Sequence, residues 1–106
     1  MNALILTTSI MTVEGVYKLS KIGLEQAKEI ISAGFTSHIG HAATTSILSV
    51  LLDTEIPMSR APASQAAGQK AVVFKLNRRL EEGQVLHTVE EVEKVGYTFQ
   101  LLERLE

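Results

Sequence analysis

Cysteine is absent from the 106 residues, and proline occurs only twice. Without a thiol the chain forms neither a disulfide nor a thiolate metal site, in keeping with a reducing interior. An excess of charge is missing too. Ten Lys and Arg stand against twelve Asp and Glu, a formal net charge of −2, so no general field gathers phosphates, and a nucleic-acid ligand would need a local basic patch. Arg60, Lys70, Lys75, Arg78 and Arg79 are the candidates for such a patch. No apolar run reaches the ~18 residues of a membrane span, and Ala3-Leu4-Ile5-Leu6 lacks the charged flank and the length of a signal peptide. The expectation is a cytoplasmic protein without membrane attachment.

What is present is an ordinary globular composition, 45% apolar with seven glycines. A chain of this length fits one domain, residues 1–106, which buries roughly two thirds of the surface its unfolded form exposes. Asn2 to Thr8 reads as a short buried strand opening into a polar loop, and a second strand is expected near Val16 to Leu19. Leu24, Ala27, Ile30 and Ile31 follow helical spacing, with Gly34 in the position of a helix-ending glycine. A short extended piece over 35–40 leads into a helix from Gly40-His41 to Leu52, with Ile47, Leu48, Leu51 and Leu52 on one stripe. The segment 53–68 holds both prolines, and its part from Ala61 to Ala67 reads equally as loop or edge strand. Ala71 to Leu76 is apolar on both faces except at Lys75, the pattern of a central strand. Thr88 and Glu91 form a capping box, Val89, Val92 and Val95 face inward, and Gly96 closes that helix before a last strand over 97–105. The fold class is α/β, one mixed β-sheet flanked by helices.

Three segments carry chemistry. Ser37-His38-Ile39-Gly40-His41-Ala42-Ala43-Thr44-Thr45 sets histidine, hydroxyl groups and a glycine at a helix start, where unpaired N–H groups and the helix dipole favour a phosphate. His41 would stand beside that phosphate, as the side-chain type that trades a proton near neutral pH. From these residues alone a simple capping or packing histidine is as good a reading. His38 and His41, three apart, lack a third ligand for a metal. Lys75-Leu76-Asn77-Arg78-Arg79-Leu80-Glu81-Glu82-Gly83 is a basic strand end running into an acidic turn. There an arginine can fork onto a phosphate and a glutamate can orient it, or the whole can be a solvated turn. Thr7-Thr8-Ser9 offers three hydroxyl groups that bond phosphate or ribose, or merely form a turn.

Five segments in order, Ser37 to His41, Ile56-Pro57-Met58-Ser59-Arg60, Ala71 to Leu76, Arg79 to Gly83 and the ending from Gly96-Tyr97 to Arg104, resemble the viral ring nucleases. These are small proteins of archaeal viruses, phages and prophages that disarm type III CRISPR immunity by cutting cyclic tetra-adenylate. The resemblance spans almost the whole chain. It implies a twofold homodimer holding the cyclic ligand in a cleft between subunits, with no metal, no cofactor and no stable protein partner. It places the catalytic role on His41, with Arg79 and Glu82 beside the scissile phosphate and Arg60 lining the pocket. Thr7, Thr8, Ser9, Ser37, Gly40, Thr44 and Lys75 complete the expected ligand contacts. Two positions depart from the pattern: Ala42 stands where many relatives have an acidic residue, and Thr7 near a frequent asparagine. The alternative from another class is a dimer that binds nucleic acid or sequesters cyclic nucleotide without cutting; the same arginines would serve it, and it would not need His41.

Overall fold

A computed structural model describes residues 2–7, 11, 13–77 and 88–106. Along the chain these form β1 (Ala3–Leu6), β2 (Tyr17–Ile22), α1 (Leu24–Ser32), β3 (Phe35–Ser37), α2 (Ala42–Leu51), β4 (Lys70–Leu76), α3 (Val89–Val95) and β5 (Tyr97–Arg104). The strands make one five-stranded sheet in the order β2-β5-β4-β1-β3. β1 pairs in parallel with β3 and β4, whereas β5 is antiparallel to both β4 and β2. It follows that β5 alone runs against the others, and that β1 to β4 all end at the same edge of the sheet.

The apolar residues explain the layering. β4 is central, and Ala71, Val72, Val73 and Phe74 are all buried because both of its faces are covered. Ile5, Ile22, Val72, Phe74, Phe99 and Leu101 point to the face carrying the helices, where they meet Ala27 and Ile31 of α1, Ile47, Leu48 and Leu51 of α2 and Val92 of α3. Leu4, Leu6, Ala71, Val73 and Leu102 point the other way, under Tyr17 and Ala63. The mixed sheet is as expected, and all three helices of the described residues lie on one of its faces.

The stretch 61–67, which read as loop or edge strand, is a loop. It is tied down by long-range bonds: the Gln65 amide donates to the Leu102 carbonyl at 2.7 Å, and an Arg104 guanidinium nitrogen donates to the Gln65 carbonyl at 2.7 Å. The second strand starts one residue later than expected and continues to Ile22. Thr88 caps α3 as expected, its Oγ1 accepting from the Glu91 amide at 3.2 Å and lying 3.2 Å from the Glu91 carboxylate. Gly96 closes α3 at a φ of 86°, a conformation that favours glycine.

Candidate functional site

The carboxyl edge of the parallel strands is where an open α/β sheet offers a crevice to ligands. Three strands deliver candidate residues there. Thr7, half-buried, follows β1; His38 to His41 follow β3; Asn77 follows β4. β1 lies between the other two, and the His38 amide donates to the Ile5 carbonyl at 3.1 Å, carrying the pairing of β1 and β3 past the formal end of the strand.

The chain then turns into α2. Ile39, 1% exposed, is driven into the core and anchors the turn. His41 is the N-cap residue, with extended backbone (φ −125°, ψ 120°), and its side chain makes no capping hydrogen bond. The first helical bond runs from the Thr45 amide to the His41 carbonyl at 3.1 Å, so the amides of Ala42, Ala43 and Thr44 precede the helical ladder, as at any helix start. No acidic side chain occupies the first turn, so nothing there offsets the positive end of the dipole. The imidazole of His41 is thus exposed beside a helix terminus suited to an anion, and among the described residues it makes no capping bond.

A second segment is laid against this turn. The Ser59 amide donates to the Ile39 carbonyl at 2.8 Å, Arg60 Nε donates to the Gly40 carbonyl at 3.4 Å, and His38 Nδ1 lies 3.0 Å from the Ala61 carbonyl oxygen. A Cβ on Gly40 would stand 3.1 Å from Arg60 Cγ. Gly40 is among the expected ligand contacts; in the structure the stem of Arg60 uses the space beside it. The guanidinium is exposed and has no carboxylate partner among the described residues.

The remaining expected contacts divide. Thr44 is half-buried in the first turn of α2. Ser37 is 4% exposed and accepts from the Ile39 amide at 3.4 Å, so it shapes the turn from inside rather than facing solvent. Lys75 is exposed at the same edge, on the face away from the helices and two strands from β3, roughly 10 Å at ordinary strand spacing. Thr8, Ser9, Arg79 and Glu82 lie outside the described residues. Among the described residues no group of three His, Asp or Glu could hold a metal ion, and no helix is long and apolar enough to cross a membrane.

A groove of about 600 Å³ opens at the opposite edge, between α1 and the amino ends of β1 and β4, lined in part by Gln26, Glu29, Gly34 and Gln69. The amide of Gln69 is already engaged there, donating to the Asn2 carbonyl at 2.6 Å and accepting from the Ala66 amide at 2.9 Å. At the carboxyl edge, by contrast, His41 and Lys75 are exposed and the His41 side chain makes no capping bond. Sequence reasoning missed Ser59, Ala61 and the bond they secure around His38, because these contacts join residues some twenty positions apart and leave no local pattern.

Comparison with known proteins gives a family. The family model described as STIV B116-like matches residues 1–99. The ORF117 protein of Acidianus two-tailed virus is 37% identical over 93 residues, covering 85% of this chain and 80% of that protein. Protein 26 of Sulfolobus islandicus filamentous virus is 41% identical over 91 residues, covering 85% and 77%. YddF of Bacillus subtilis is 35% identical over the full length of both chains. The solved structure of B116 of Sulfolobus turreted icosahedral virus superposes with a TM-score of 0.72 at 20% identity, covering 97% of this chain and 100% of that one, which establishes a shared fold.

Proposed function

From its membership of the STIV B116-like family and the residues at the carboxyl edge of its sheet, we propose that this chain is a metal-independent ring nuclease that binds cyclic tetra-adenylate and opens it to linear oligoadenylates. The observation that carries the reading is His41, exposed at the start of α2 with no side-chain capping bond, beside Gly40, whose carbonyl accepts from Arg60 Nε. A phosphodiester flanked by a ribose 2′-hydroxyl needs no external nucleophile, because the attacking oxygen is already in place. The 2′-oxygen attacks its own 3′-phosphorus, the bond to the 5′-oxygen breaks, and a 2′,3′-cyclic phosphate and a 5′-hydroxyl result. The departing 5′-oxygen takes a proton, and His41 is the group offered for that role. The amino end of α2 and Arg60 supply positive charge to the phosphate, with Arg79 and Glu82 assigned beside the reacting centre by resemblance.

The proposal includes a twofold homodimer. A ring with repeating phosphates suits two equivalent crevices, one His41 at each of two opposite phosphates. In a cell carrying a type III CRISPR system, removal of the cyclic messenger would suppress that immunity.

The deciding experiment is incubation with a panel of cyclic oligoadenylates in EDTA, with chromatography of the products beside a binding assay. Linear products from the tetra-adenylate ring are expected. Tight binding without products would leave a sequestering protein, and activity abolished by EDTA would overturn the metal-independent mechanism.

A further inference from the structure

The resemblance assigns the catalytic role to His41 and none to His38, yet the ring of His38 has the hydrogen-bond partner that His41 lacks among the described residues. His38 is half-buried, its amide is paired with the Ile5 carbonyl, and its Nδ1 sits 3.0 Å from the carbonyl oxygen of Ala61. A carbonyl oxygen only accepts, so Nδ1 must carry a proton; in the neutral ring Nε2 is then the unprotonated nitrogen. The bond crosses from the end of β3 to the segment that bears Arg60. Together with the Ser59 amide on the Ile39 carbonyl and Arg60 Nε on the Gly40 carbonyl, it forms three successive ties between 38–40 and 59–61. The backbone tie belongs to any residue type, and the Arg60 tie is long at 3.4 Å. The side chain of His38 is therefore the sequence-specific part of the fastening.

We infer that His38 is a positioning residue, whose Nδ1–H bond to the Ala61 carbonyl holds the 59–61 segment against the turn before α2 and so keeps the Arg60 guanidinium beside Gly40. The inference rests on the reading of this edge as the ligand site only for its effect on binding; the fastening itself is a property of the free protein. Since His38 acts through Arg60, its loss weakens ligand capture and leaves the chemical step at His41 in place.

The test compares the wild-type protein with His38→Asn and His38→Phe. Asparagine can place an amide N–H where Nδ1 stands but has no counterpart of Nε2; phenylalanine fills the ring's space and donates nothing. Long-range nitrogen–proton NMR correlation on the wild-type protein, at mildly alkaline pH, should show a protonated Nδ1 and an unprotonated Nε2. Exchange of the Ser59 amide should accelerate about 10-fold in His38→Phe, the scale of one lost hydrogen bond, and stay near wild type in His38→Asn. Affinity for cyclic tetra-adenylate should fall about 10-fold in His38→Phe and recover in His38→Asn, with the single-turnover rate at saturation unchanged in both. A ring protonated on Nε2 would overturn the inference, as would unaltered Ser59 exchange in His38→Phe or a failure of asparagine to restore it. If wild-type protein bound no cyclic tetra-adenylate, the proposed function would fall, while the tautomer and the exchange rates would still decide the fastening.

Discussion

Arg60 lies across Gly40, its Cγ only 3.1 Å from where a Cβ would stand and its Nε donating to the Gly40 carbonyl. The methyl group of an alanine would press on the stem of a flexible, exposed side chain, not on backbone, and Gly40 has no left-handed conformation to protect. Gly40→Ala should therefore fold with a stability change of at most about 0.5 kcal/mol, as for a surface substitution, while displacing Arg60 and weakening ligand binding. Thermal unfolding and titration with cyclic tetra-adenylate, run on the same sample, check the pair of outcomes. A large loss of stability would mean that the close approach is structural.

The two arginines assigned to the ligand should separate by kinetics. Arg60→Ala should weaken binding by roughly 10- to 100-fold, the range of a lost charged hydrogen bond, with little change in the saturating rate. Arg79→Ala should slow cutting by about 10²- to 10³-fold, as for a group that stabilises developing charge. Wild-type binding and cutting by both variants would reduce these side chains to ordinary surface charge.

His41→Ala should keep its ligand and lose some 10²- to 10⁴-fold in single-turnover rate, the usual contribution of a positioned acid. The rate should be indifferent to EDTA in wild type and variant alike. Near-normal cutting by His41→Ala would remove the proposed proton donor.

Gly96 joins α3 to β5 at φ 86° and ψ 146°, and a Cβ there would stand 2.7 Å from the side-chain nitrogen of Asn77. Gly96→Ala should cost about 1–3 kcal/mol for backbone strain alone. Each kilocalorie corresponds to about 4–8 °C of melting midpoint in a domain near this size, and an unchanged midpoint would contradict the strain.

Sedimentation at micromolar concentration should give a dimer with and without ligand. A monomer under both conditions would remove the twofold arrangement from the proposal.

Local patterns were legible wherever neighbours in sequence decide structure. Val72 and Phe74 on one face and Ala71 and Val73 on the other announced a strand covered on both sides. Thr88 and Glu91 announced a helix start, and the glycine before His41 a helix beginning within two residues of it. β2 was harder to delimit because it is an edge strand: Lys18, Leu19 and Lys21 are all exposed, so the two faces lack the contrast that marks a strand's length. The loop through Gln65 and the clasp between His38 and Ala61 were illegible for another reason. Both depend on side chains reaching carbonyls 37 and 23 residues away, and a carbonyl is the same in every residue. Ser37 shows the converse limit: a hydroxyl in a polar-looking motif can point inward, and only the register Ile5 to Ser37 across β1 and β3 decides it.

The place of β5 in the sheet also sets when the molecule can come into being. β5 follows the other four strands in the chain, yet it lies between β2 and β4 and, among the described residues, is the only strand paired with β2. On a ribosome, β2 must therefore wait unpaired through the synthesis of some seventy-five further residues, until Tyr97 to Arg104 emerge. Partial chains ending before Tyr97 can assemble the parallel trio of β3, β1 and β4 but leave β4 with an open edge. Such nascent fragments would be candidates for chaperone capture or edge-to-edge association until β5 pairs with both β4 and β2.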